Sequence, residues 1–135
     1  MTGTNDGDRR VPGTWLVTIT GPVSTRAIVT FTRDGGMVER IQGTPEALLA
    51  AWEPIPGPQR RFRFTGLRYR HNLTDPNTPF QRTTRVRGTC QTAANNDAFN
   101  GTVTVDSLDS SGNVEAGSSV VHLQLAGARM PVVPE

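Results

Sequence analysis

The sequence predicts an all-β protein, an eight-stranded antiparallel up-and-down β-barrel. Two observations carry this. About eight short segments alternate apolar and polar residues at a period of two, and turn clusters such as Asp34-Gly35-Gly36 and Asp109–Asn113 separate them. No long amphipathic helical pattern competes with the strands. A chain of 135 residues is long enough for one domain with its own core. Closing the sheet removes exposed edges, and eight strands leave an interior for side chains or one small ligand.

Taken in order, the first strand spans Thr14 to Val23, with Trp15, Val17 and Ile19 on one face, and Gly21-Pro22 helps to end it. The second, Arg26 to Arg33, sets Ala27, Val29 and Phe31 against Thr30 and Thr32. Asp34-Gly35-Gly36 is a hairpin turn, since glycine supplies the positive φ such turns need. A third strand runs from Met37 to Gln42. Residues 43–53 admit two readings, a capped helical turn beginning at Thr44-Pro45-Glu46 or a lead into a short strand over Ala50–Glu53. The run Pro54–Pro58 forces an irregular link, because proline donates no ladder hydrogen bond. Strands over Arg60–Arg70 and Phe80–Thr92 flank a loop, His71–Pro79. Ala98–Leu108 and Val114–Met130 complete the set, the last with a kink at Gly117. The organisation expected is a leader over residues 1–12, a barrel over 13–130 and a tail over 131–135.

Composition narrows the function classes. No apolar run approaches the roughly 20 residues that span a bilayer. The first ten residues lack the apolar centre of a signal peptide, and the single Cys90 allows no intramolecular disulfide, so a cytoplasmic location is expected. Cys90 itself reads as a small core residue. All 14 basic residues are arginine, and the formal net charge is only +2, too small to indicate nucleic acid. Eight arginines fall between Arg60 and Arg87. With His71 and His122 far apart and one cysteine, no metal site is indicated.

The fifth segment decides which face is interior. Phe62 and Phe64 alternate with Arg61 and Arg63, but Leu67, Tyr69 and His71 have the opposite parity, alternating with Arg68 and Arg70. A β-bulge at Thr65-Gly66 would turn all five apolar or aromatic positions inward. Without it, Arg68 and Arg70 would be buried, which is costly unless they are paired. The bulge is therefore expected. It leaves Arg61, Arg63, Arg85 and Arg87 as a basic outer patch suited to an acidic partner. It also removes the aromatics that a single-stranded nucleic-acid groove would need.

The expected interior supplies the candidate site. Phe31, Met37, Ile41, Phe62, Phe64, Leu67, Thr84, Val86, Phe99, Val103 and Leu123 would line a ligand cavity, with Trp52 at its rim. Glu39 shares a face with Met37 and Ile41 and would be a lone carboxylate among apolar groups. Burial raises the pKa of such a group and suits it to acid–base work near neutral pH. Tyr69 and His71 are expected as its polar partners at the mouth.

The chain resembles small bacterial lipocalin-like (calycin) β-barrels. The resemblance rests on Gly13-x-Trp15, Thr30-Phe31-Thr32-x-Asp34-Gly35, Phe99-x-Gly101, Asp109-x-x-Gly112 and the terminal Arg129. In that family the arginine packs over the tryptophan and closes the barrel floor. The resemblance implies a container for a small apolar molecule. Some members are cofactor-free cyclases of polyketide and antibiotic biosynthesis, including spirotetronate cyclases, which fold a reactive chain into a productive conformer. It implies no cofactor and a polyketide-like substrate turned over mainly by confinement; the residue reading adds Glu39, Tyr69 and His71 as candidate polar helpers, an acidic carrier protein on the arginine patch, and compatibility with a homodimer. A non-catalytic carrier is the alternative, since fold alone does not settle function.

Overall fold

The computed structural model describes residues 11–22, 24–70, 82–117 and 120–131. Its strands are β1 (Gly13–Thr20), β2 (Thr25–Phe31), β3 (Gly36–Ile41), β4 (Leu48–Pro54), β5 (Arg61–Arg70), β6 (Arg82–Thr92), β7 (Ala98–Leu108) and β8 (Val121–Arg129). Each pairs antiparallel with the next, and β8 pairs with β1 to close the barrel. No helix occurs among the described residues. The closed, eight-stranded antiparallel up-and-down architecture is as the sequence predicts.

Two boundaries differ from expectation or complete it. Residues 43–47 are turn and bend, and the chain is already extended at Leu48, so the strand reading of 43–53 holds. The final strand begins at Val121. Before it, Asp109 caps a turn by accepting from the backbone N–H groups of Ser111 and Asn113, and Val114 makes only an isolated bridge to Leu108. Phe80 and His71, with the rest of the β5–β6 loop, lie outside the described residues, as do residues 1–10 and 132–135.

The closing seam is built around the first and last sequence signals. Trp15 and Arg129 are direct partners in the β1–β8 register. The Arg129 guanidinium lies 4.2 Å from the Trp15 ring centroid, within cation–π range. Arg129 Nη1 donates to Pro12 O at 2.9 Å, and its Nε and Nη2 donate to Asn96 O at 3.1 and 2.8 Å. Trp15 is wholly buried, and its indole N–H donates to Val11 O at 2.9 Å. One arginine thus ties the chain start, the β6–β7 turn and the last strand together. Gly13 makes room for it: φ is +129°, and a Cβ there would meet Arg129 Nη1 at 2.7 Å.

Aromatic rings fill the barrel half next to this seam. Phe31, Trp52, Phe62, Phe99 and Trp15 form edge-to-face contacts with centroids 4.9 to 6.3 Å apart. Each such pair contributes about 0.5–1.5 kcal/mol beyond area burial. Trp52 also locks the β2–β3 turn, its indole N–H donating to Thr32 O at 2.8 Å and its backbone N–H to Gly35 O at 2.9 Å. Trp52 is therefore a floor residue and not a rim residue.

The expected bulge in β5 is absent. The β5–β6 ladder runs without a slip from Arg61↔Gln91 to Arg70↔Arg82, and β4–β5 is continuous from Pro54↔Phe62 to Leu49↔Leu67. Phe62, Phe64, Gly66 and Arg68 consequently face inward, while Leu67 and Tyr69 are exposed on the outer wall. The physical reason is that Arg68 finds a partner inside, which removes the penalty the bulge would have avoided. Gly66 serves a close approach instead: a Cβ there would lie 2.7 Å from Ala50 Cβ and 3.0 Å from Leu48 Cγ.

Truncating the seam should cost stability. Trp15→Ala is expected to lose about 3–5 kcal/mol, as for a large buried aromatic. Arg129→Ala is expected to lose about 1–3 kcal/mol, through carbonyls left without donors. Urea unfolding followed by fluorescence checks both; an unchanged midpoint for either would refute its structural role.

Candidate functional site

Away from the aromatic floor, the barrel interior opens into a cavity of about 250 Å³. Strands β1, β3, β5, β6, β7 and β8 line it with Ile19, Glu39, Ile41, Arg68, Thr84, Val86, Val103, Val105, Leu123 and Leu125, and Thr44 contributes from the β3–β4 connection. The wall is aliphatic except for two threonines and one ion pair. The floor aromatics Phe31, Trp52, Phe62 and Phe99 are absent from this lining because they pack against one another. Met37 and Phe64 are also core residues and do not line it.

Glu39 and Arg68 meet across the interior from β3 and β5, with Leu48 of the intervening β4 buried between their strands. Arg68 Nη2 donates to Glu39 Oε1 at 2.7 Å, and both residues are more than nine-tenths buried. Burial pushes the Glu39 carboxyl above the ordinary glutamate value, and the Arg68 charge and hydrogen bond oppose that rise without cancelling it. The Arg68 Nε–H is buried and has no hydrogen-bond partner among the described residues. A group of this kind costs free energy in an empty site and offers a donor to an occupant.

Of the residues expected to act, Glu39, Ile41, Thr84, Val86, Val103 and Leu123 come together here. Leu67 and Tyr69 do not: both stand on the outer surface, at 43% and 56% exposure. His71 lies outside the described residues. Arg68 is the residue the sequence reading missed. Its signal was present, because unbroken alternation from Phe62 and Phe64 places position 68 inside, where a lone Glu39 would need a cation.

Other titratable groups are committed elsewhere. Burial drives the Cys90 thiol up to about 12, so at neutral pH it is a protonated, unreactive core group. The outer arginine patch carries its own carboxylates. Arg85 clamps Asp106 with bonds of 2.9 and 2.8 Å, Arg87 adds a third at 3.1 Å, and Arg63 pairs with Glu53 at 2.6 Å. Asp106 is buried under these guanidinium groups, and the Arg85 hydrogen bonds hold its carboxyl below the usual range. A larger groove crosses the outer wall over β8, β1, β2 and β3, floored by Leu16, Ile28, Ala126 and Ala128, but it holds no buried polar group. No group of three or more potential metal ligands converges among the described residues.

No family model, curated protein or solved structure matches the chain.

The two buried carboxylates should act on stability in separate pH windows. Glu39 binds its proton more tightly folded than unfolded, so its contribution is complete below about 4.5 and is lost as pH rises through the folded pKa. Asp106 behaves oppositely, with a contribution present above about 3.8 and lost as pH falls through its lowered pKa. Glu39→Gln should therefore gain stability relative to wild type as pH increases above about 4.5. Urea titrations at several pH values check this; a pH-independent difference would show that Glu39 has no raised pKa.

Proposed function

We propose that the open half of this barrel encloses one compact, largely apolar molecule and acts on it as a cytoplasmic, cofactor-independent cyclase or isomerase. One observation carries the reading: a single buried Glu–Arg pair in an otherwise aliphatic cavity. The aliphatic wall confines the substrate in a reactive conformer. Glu39, its pKa raised by burial, takes and returns a proton. Arg68 positions that carboxyl and stabilises negative charge developing on the substrate.

The cavity volume limits the substrate. It falls below the roughly 300–1,000 Å³ of drug-sized sites, so a polyketide-like chain would place only its reacting segment inside. An acidic carrier protein bearing such a chain would dock on Arg61, Arg63, Arg85 and Arg87. Three of these four already engage Glu53 or Asp106, with Arg85 and Arg87 sharing one carboxylate, so the unspent charge is divided between Arg61 and that shared cluster. The second reading, a non-catalytic carrier, draws on the same pair: an arginine bonded to Glu39 also keeps it charged and idle.

Two measurements separate these. Fluorobenzene followed by ¹⁹F NMR should bind wild type at one site and lose that site in Val103→Trp, which fills the cavity; equal binding by both would exclude enclosure here. For chemistry, 3-cyclohexen-1-one is a minimal probe, since moving its α-proton to the γ-carbon gives the ultraviolet-absorbing conjugated enone. Wild type should accelerate this about 10²–10⁴-fold over Glu39→Gln, the usual yield of a positioned acid–base group. Binding with no difference in rate would favour the carrier.

A further inference from the structure

Arg68 has more donors than Glu39 uses. Glu39 takes one bond, from Nη2, while the buried Nε–H has no partner among the described residues. The remaining polar lining of the cavity is the hydroxyl pair of Thr44 and Thr84. From this we infer that the cavity selects a molecule carrying one uncharged acceptor oxygen, a ketone or ester carbonyl, which receives the Arg68 Nε–H. The inference rests on the enclosure reading above and names the ligand class for that same site.

The charge balance favours a carbonyl over a carboxylate. Glu39 and Arg68 together are neutral when both are ionised, so an uncharged ligand leaves the buried charge at zero. A carboxylate would place a second negative group beside Glu39 in a low-dielectric interior, where like charges disfavour one another strongly. A carbonyl also brings no donor of its own, so it satisfies the free N–H and leaves no new orphan. The aliphatic wall from Ile19, Val86, Val103 and Leu125 takes the apolar body. The same placement puts the carbonyl oxygen on a fixed cation and the neighbouring carbon near Glu39, as an enolisation needs.

Three probes of similar shape test this at pH 7: cyclohexanone, cyclohexene and cyclohexanecarboxylate. In a ¹H–¹⁵N spectrum the Arg68 Nε–H resonance should shift on adding cyclohexanone and stay in place with cyclohexene. Arg68→Lys keeps a cation for Glu39 but lacks the guanidinium Nε–H. It should weaken cyclohexanone binding roughly 10- to 100-fold, the range of a hydrogen bond from a charged donor, and leave cyclohexene unchanged. Should the lysine variant fail to fold, the wild-type resonance decides alone. Cyclohexanone bound with no shift of that resonance overturns the inference and leaves enclosure standing. Tighter binding of the carboxylate also overturns it. Failure of all three probes to bind overturns both readings together.

Discussion

Closure of the sheet between β1 and β8 decides on which side of the wall every other side chain falls. In an open sheet, an edge strand that slips by one residue exchanges its faces but disturbs the pairing with only one neighbour. In a closed eight-stranded ladder, a slip in one strand must be repaid by both neighbours. Here β5 is paired without interruption to β4 and β6, and those are paired onward around the ring to the seam. The Trp15–Arg129 contact and the hydrogen bonds from Arg129 to Pro12 and Asn96 pin that seam. The consequence reaches far from it: Arg68 has no choice but the interior.

An arginine forced inside must be answered, and Glu39 answers it. Such a pair is poor evidence for stability, because desolvating two ions consumes much of what their attraction returns, and an apolar replacement of similar volume is often neutral or better. The pair sits where the barrel is least filled, with one donor unmet. Packing alone would have put a leucine and a valine there. The buried charges are better explained by what enters the cavity than by what holds the wall up.

Much of this was legible in the chain. Period-two alternation and the glycine turns located the eight strands, and the Gly13-x-Trp15 and Arg129 signals marked the two strands that meet at the seam. The Met37, Glu39 and Ile41 face was read correctly as interior. The error in β5 has an instructive cause. Leu67 and Tyr69 are apolar enough to suggest burial, and Arg68 is costly enough to suggest exposure, so a local rule preferred a bulge at Gly66. The ladder is non-local, and it overrode that preference once Glu39, 29 residues away, supplied the countercharge. Likewise nothing local in the chain marks Asp106, although its cross-strand register opposite Arg85 makes it the anchor of the outer patch.

The barrel is also divided along its axis, and the division bears on its chemistry. Five interlocked aromatic rings occupy one half and leave no room for a guest. The other half is walled by branched aliphatic side chains, which are stiff at χ1 and hold a shape without offering polar contacts. A rigid floor and an apolar wall can impose conformation but cannot move a proton. Only the Glu39–Arg68 pair can do that among the described lining residues. In a carrier alone the pair would select a guest by its acceptor oxygen, and the carboxyl would have no further task. A carboxyl poised by burial next to an unsatisfied cationic donor is the arrangement expected where a proton must leave carbon while charge gathers on oxygen.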